Sequence, residues 1–166
     1  MKVLGIDPGL ASCGWAVVEK LPNKEYELLS YGEIKTEKIS ANDDLSSRLK
    51  QIYKTLQKVI KKYKPDIVCL EEQFYSKIAK NMVNTYLAVG VVYLLCGMLG
   101  IDVKTFSAKT VKLAVTGYGS ATKLQLKKMV KLLLKFQKEI KSEHINDAAA
   151  VALCYLNTEG IQQEYV

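Results

Sequence analysis

Arginine is almost missing from this chain. Arg48 is the only one, so the other 23 of its 24 basic side chains are lysines. Bidentate arginine contacts to base edges are therefore scarce, and point-charge contacts of lysine to phosphate are the available mode of polyanion binding. Histidine is rarer than in most chains of this length: His144 stands alone. The four cysteines, Cys13, Cys69, Cys96 and Cys154, are widely spaced and form no CxxC pair, which argues against a zinc site. Each sits among apolar neighbours and reads as a small core residue of a protein in a reducing compartment, so a cytoplasmic location is expected. A secretory leader is not expected, because the apolar run in the opening MKVLGIDPG is short and ends in an aspartate. The most apolar stretch, residues 82–99, is interrupted by Asn84, Thr85, Tyr86 and two glycines, and reads as a buried helix, not a membrane span. No internal repeat or second domain is visible. The expectation is one domain over residues 1–158, with residues 159–166 a frayed tail.

What is present is a large apolar fraction, 49%, and a formal charge of +7. The first is ample for a core. The second suits a polyanionic partner, nucleic acid above all, although a lysine-rich surface also serves solubility. The asymmetry is local: between positions 101 and 141 ten lysines face two acids, Asp102 and Glu139.

Val3–Asp7 reads as a buried strand, followed at hairpin distance by Gly14–Glu19 and Tyr26–Lys35, the three forming an antiparallel meander. A polar loop then offers Asp43 or Asp44 as the cap of a helix. In that helix Leu45, Leu49, Ile52, Leu56, Val59, Ile60 and Tyr63 recur at helical spacing until Pro65 ends it. Ile67–Glu71 is apolar on both faces, as a strand covered by helices on each side must be. The helix at 82–99, a fifth strand over Ile101–Phe106, and helices over Ala108–Val115, Lys123–Phe136 and His144–Leu156 complete the pattern. Right-handed crossovers then favour an α/β fold with a five-stranded mixed sheet of order 3-2-1-4-5, strands 1–3 antiparallel, flanked by helices.

In that topology strands 1 and 4 are neighbours, and their ends carry Asp7 and Glu71. Two carboxylates side by side repel and require a proton, a lysine or a metal between them. His144 and Asp147, three residues apart at the start of the last helix, project from one face. Four oxygen or nitrogen donors from three segments can thus meet at one point. A mostly carboxylate set favours Mg²⁺ or Mn²⁺ over zinc. Each residue also has an ordinary reading: Asp7 as a turn residue before Pro8-Gly9, Glu71 as a solvated strand end, His144 and Asp147 as first-turn helix residues. Glu72 competes with Glu71. Neighbours in a strand point to opposite faces, so only one of the two can face Asp7.

Four blocks carry a resemblance: GIDPG at 5–9 with Gly14 after it, PDIVCLEEQF at 65–74 followed by Lys77, VKLAVTGYGSATKLQLKKMV at 111–130, and HINDAAAVALCY at 144–155. In this order and spacing the chain resembles the RuvC-type Holliday junction resolvases over nearly its whole length. The resemblance implies an RNase H-like fold, a homodimer, and a Mg²⁺-dependent endonuclease that makes paired symmetric nicks in a four-way DNA junction, leaving 5′-phosphate ends. It implies a role in recombination and repair, with the RuvAB branch-migration complex as a partner. It selects Glu71 over Glu72 and assigns Asp7, Glu71, His144 and Asp147 to the catalytic and metal-binding site. Family members carry aspartate or histidine at the His144 position, so His144 is expected either to bind metal or to position water. The resemblance further makes Phe74 an aromatic probe of the junction centre, and Lys77, Lys112 and Lys123 DNA-binding residues. The mechanism expected is two-metal hydrolysis, with ions about 4 Å apart flanking the scissile phosphate.

Two other readings share these features. A YqgF-like RNA-processing nuclease of the same fold has an early aspartate and a strand-end glutamate. A catalytically silent junction-binding module would keep the lysines but need none of the four site residues. An actin-like or sugar-kinase ATPase, which also opens on an Asp-Xaa-Gly hairpin, needs two such domains around its nucleotide, and this chain has length for one.

Overall fold

The computed structural model describes residues 1–36, 44–72, 82–135 and 140–162. Its five strands are β1 (Lys2–Asp7), β2 (Ser12–Lys20), β3 (Tyr26–Lys35), β4 (Ile67–Glu71) and β5 (Val103–Phe106). They lie in the order β3-β2-β1-β4-β5. β1–β2 and β2–β3 are antiparallel, and β1–β4 and β4–β5 parallel. This is the expected mixed sheet. The helices are α1 (Leu45–Tyr63), α2 (Met82–Leu99), α3 (Ala108–Thr116), α4 (Lys123–Leu133) and α5 (Glu143–Gln162).

The two faces of the sheet carry separate cores. Leu4, Ile6, Val17, Val68 and Leu70 pack beneath α1 and α2. Val3, Ala16, Val18, Ile67 and Cys69 pack beneath α3, α4 and α5. Covered on both sides, β1 and β4 have no polar residue between Val3 and Ile6 or between Ile67 and Leu70; the acids come at their last positions, where the strands leave the helices. The inward face of α5 is built from Ala148, Ala149 and Ala152, all fully buried. A Cβ on Gly5 would stand 1.9 Å from the carbonyl oxygen of Ala148. Small residues on both sides therefore let α5 lie directly on β1, and this close approach sets the height of its first turn above the strand end. All four cysteines are buried and none forms a disulfide, and burial pushes the Cys13 and Cys154 thiols up to about 12.

Several boundaries differ from the expected ones. β5 starts at Val103, not Ile101, because Gly100 (φ 66°) and Ile101 close α2: the Gly100 amide donates to Gly97 O and the Ile101 amide to Cys96 O. This is the paired arrangement of a Schellman cap. α4 stops at Leu133, not Phe136, since Lys135 takes a left-handed conformation (φ 50°) that ends the helix. β2 begins at Ser12, two residues before Gly14, and α5 runs past Leu156 to Gln162. The cap of α1 is as expected: Asp44, one of the two acids offered for it, accepts from the Ser47 amide. Among the described residues no helix is long and apolar enough to cross a membrane.

Candidate active site

Asp7 is the last residue of β1, and Glu71 the last of β4. The parallel register pairs Ile6 with Leu70, which puts these carboxylates next in the same row. Strand parity decides between the two glutamates. Ile67 and Cys69 face α5, so Glu71 does too, while Glu72 points away. Asp7 shares this face, two residues beyond Gly5 and four beyond Val3.

The third component arrives on α5. His144 Nδ1 lies 2.7 Å from Asp7 Oδ2. It stands over Gly14, the partner of Asp7 on β2. A Cβ on Gly14 would lie 2.2 Å from the His144 carbonyl oxygen and 2.8 Å from its Cβ. Glycine is required at position 14 because a side chain there would occupy the space of the helix turn that carries the histidine. Asp147, one turn on, comes within 3.9 Å of Lys123 Nζ, which is also 3.8 Å from Glu143 Oε2. Lys123 is the first residue of α4, and a capping box between Thr122 and Gln125 fixes that start. A groove of about 300 Å³ runs beside this corner, with Lys123, Lys127, Glu143 and Asp147 in its wall.

The electrostatics are those of an anionic cluster. Burial raises the pKa of Glu71, and the charges of Asp147 and Asp7 raise it further, while Lys123 and Lys112 ease it back. Burial likewise raises Asp147, with Asp7 and Glu143 adding to the effect and Lys123 and His144 opposing it. The lysines are too few and too exposed to neutralise three carboxylates. Oxygen donors of this kind, crowded and partly desolvated, suit a hard divalent cation. Among the described residues, however, no three His, Cys, Asp or Glu side chains are gathered closely enough to hold a metal as they stand. Asp7 is engaged by His144 instead, so the donors surround one place without closing on it.

The sequence-derived site residues divide clearly. Asp7, Glu71, His144 and Asp147 converge at the C-terminal ends of β1 and β4, with Lys112 and Lys123 within electrostatic reach of Glu71. Phe74 and Lys77 lie outside the described residues. Glu33 escaped the sequence reading. It pairs with Gly14 across β2–β3, and its Oε1 accepts a hydrogen bond from the Ser12 hydroxyl at 2.5 Å. The signal that could have found it was the hairpin register, which is fixed only when β2 is known to start at Ser12.

The model of the family described as crossover junction endodeoxyribonuclease RuvC matches residues 3–155. The chain belongs to the RuvC family. A RuvC crossover junction endodeoxyribonuclease of Caldanaerobacter subterraneus subsp. tengcongensis is 40% identical over 161 residues, covering 97% of this chain and 95% of that protein. That of Caldicellulosiruptor saccharolyticus is 38% identical over 156 residues, covering 94% and 92%. Among solved structures, T. thermophilus RuvC in complex with a Holliday junction substrate superposes with a TM-score of 0.89 at 28% identity, covering 98% of this chain and 96% of that one. The RuvC relatives thus match the chain over nearly its whole length, and the RNase H-like resolvase fold matches the sheet order described above.

Proposed function

We infer that this chain is a structure-specific DNA endonuclease that resolves four-way junctions by paired nicks, in recombination and repair. The observation that carries the reading is the meeting of Asp7, Glu71, His144 and Asp147 at one edge of a RuvC-family fold. The RNA-processing and catalytically silent alternatives draw no support from the relatives, which are crossover junction endodeoxyribonucleases.

Asp7, Glu71 and Asp147 are the residues that would hold Mg²⁺, or Mn²⁺ in its place, two ions per site. When bound, such ions supply a hydroxide at neutral pH and stabilise the leaving oxygen. The chain's own contribution is placement. The sheet fixes two carboxylates, the α5–Gly14 contact fixes the third and the histidine, and His144 holds one oxygen of Asp7. Whether His144 binds metal or orients water, its Nδ1 is already committed to Asp7, which leaves Nε2 for either role. Lys112 and Lys123 flank the acids where phosphates would approach, and Phe74 and Lys77 are carried as DNA-binding residues on the family resemblance.

Two symmetric nicks need two active sites related by a twofold axis. The outward face of α2 supports a homodimer: Leu94 and Met98 are 61% and 66% exposed, and Gly90 and Gly97 leave the helix surface open between them. The RuvAB branch-migration complex as a partner, a cytoplasmic location and a single nuclease domain over residues 1–158 follow from the same reading. Four cysteines without a disulfide among them agree with a reducing compartment.

The test is incubation of the purified chain with a synthetic four-way junction, with and without Mg²⁺, beside a structured RNA. Symmetric nicks in the junction only with Mg²⁺ are expected. Cleavage of the RNA in preference, or binding without nicks, would overturn the assignment.

A further inference from the structure

His144 sits against a row of the sheet that carries a carboxylate at each end. Asp7, Gly14 and Glu33 form one row across β1, β2 and β3. Paired residues of adjacent strands face the same way, so both carboxylates point to the side of α5. The strands that carry them are two positions apart in the sheet, roughly 10 Å between backbones. Gly14, between them, has no side chain, and the first turn of α5 settles into that gap.

Glu33 is tied to the sheet beside that turn. Its carboxylate accepts a hydrogen bond from the Ser12 hydroxyl on β2 at 2.5 Å, and the Ser142 hydroxyl is near enough to favour its charged form. Ser142 in turn organises the start of α5. Its hydroxyl accepts from the Ile145 amide at 3.4 Å, and its carbonyl accepts from Asn146 Nδ2 at 2.7 Å. The Ser12 hydroxyl above all, and the nearby Ser142 hydroxyl and Lys35 charge, lower the Glu33 pKa against the opposing effect of burial. Glu33 is thus a carboxylate bonded to the sheet through Ser12 and set beside the turn that leads to the histidine.

Building on the resolvase reading, we propose that Glu33 is a positioning residue for junction cleavage: fixed to the sheet by Ser12, it faces the α5 turn from the far side of Gly14 and holds His144 against Asp7, leaving Asp7 Oδ1 directed to the catalytic centre. Glu33 touches neither substrate nor metal in this scheme. It acts through His144, and the chain's single arginine takes no part, so the device is made wholly from one row of the sheet and one helix turn.

The experiment uses Glu33→Ala, Glu33→Gln and the milder Ser12→Ala, with Glu27→Ala, an exposed acid on the same strand, as control. Because His144 is the only histidine, its ring nitrogens give one unambiguous set of NMR signals. In the wild type, without DNA or metal and at a pH where imidazole is neutral, the proton is expected on Nδ1, shared with Asp7. Both Glu33 variants should move it toward the Nε2 tautomer and slow single-turnover cleavage about tenfold to a hundredfold, with junction affinity unchanged. Ser12→Ala should shift both readouts in the same direction by less, and it stands in for Glu33→Ala should that variant not fold. An unchanged imidazole spectrum with unchanged cleavage overturns the proposal. So does a loss of cleavage matched by equal losses of junction affinity and melting temperature, which is what a merely structural residue would give. A wild type that nicks no junction defeats the resolvase reading instead, while the spectrum still decides the role of Glu33.

Discussion

His144 Nδ1 and Asp7 Oδ2 are 2.7 Å apart, joining residues separated by 137 positions of sequence. The contact shows that α5 and β1 are assembled as one unit, with the chain's only imidazole set on the acid that ends its first strand. Its chemical consequence is asymmetry at Asp7, where one oxygen is taken by the histidine and the other remains for the centre of the cluster. Asp7→Asn keeps the shape and removes the charge. Cleavage of a four-way junction should fall by at least about a hundredfold, more than the loss of an outer residue usually costs. Junction binding, measured without divalent metal, should be retained, because lysines carry it and a negative charge near the phosphates is gone. Normal cleavage by this variant would remove Asp7 from the mechanism.

The raised carboxylates give a pH dependence with a definite sign. For Glu71 and Asp147 the folded pKa lies above the unfolded one, chiefly because both are partly buried. Between those two values the folded state holds more protons than the unfolded state, so stability falls as pH rises through that window. Above it the full electrostatic penalty of the cluster is in force. Metal-free protein should therefore have a higher melting temperature as Glu71→Gln or Asp147→Asn than as wild type at pH 7. The gap should close below the ordinary carboxylate range, and Mg²⁺ should raise the wild type most. A melting temperature lowered by both substitutions at pH 7 would show that the acids stabilise the fold instead.

How far could the sequence be read? The sheet order followed from apolar runs and handedness alone, because β1 and β4 are covered on both faces and run through apolar residues and glycine from Val3 and Ile67 until Asp7 and Glu71. The choice between Glu71 and Glu72 needed either the resemblance or the parity that the structure supplies. Glu33 stayed hidden for a different reason. Its neighbours Ser12 and Gly14 are drawn to it by hairpin register, and register is a property of pairing, not of composition. The early end of α4 was also hidden, since nothing in the residue type of Lys135 requires a positive φ. Phe74 and Lys77, carried on the resemblance, lie outside the described residues.

Lys112 and Lys123 should act on binding before chemistry. Removing one lysine–phosphate pairing lowers the slope of log affinity against log salt by about 0.9. Lys112→Gln and Lys123→Gln together should therefore reduce that slope by about 1.8, and weaken junction binding most at low salt. Lys123 also eases the charge of Asp147, so its substitution should add a smaller defect in turnover at saturating junction. Titrations by fluorescence anisotropy at several salt concentrations check this. A slope equal to that of the wild type would place phosphate binding elsewhere on the surface.

The face of α2 predicts an assembly. Val83, Tyr86, Tyr93, Leu94 and Met98 are all exposed on one helix, an apolar surface of the kind that marks an interaction site. Leu94→Glu with Met98→Glu should convert a dimer into a monomer by sedimentation and should leave the melting of the isolated protomer nearly unchanged, since neither side chain is part of the core. Paired nicks across a junction should then become single, uncoupled nicks. A wild type that sediments as a monomer at micromolar concentration would refute the interface.

Gly14 offers a test of the close approach on which the whole site depends. An added methyl would meet the His144 carbonyl oxygen at 2.2 Å, a distance no Cβ tolerates, and its other neighbour is the His144 Cβ. Neither can yield without moving the backbone of α5, because Gly5 and Ala148 clamp the next turn to β1. Gly14→Ala should thus cost about 1–3 kcal/mol of stability, as overpacking of a tight contact does. It should cost cleavage more, since the displaced turn carries His144 away from Asp7 while the alanine-rich body of α5 stays in place. Activity measured far below the melting temperature, where nearly all molecules are folded, separates the two effects. Full cleavage under those conditions would mean that the His144–Asp7 contact is not needed for the reaction.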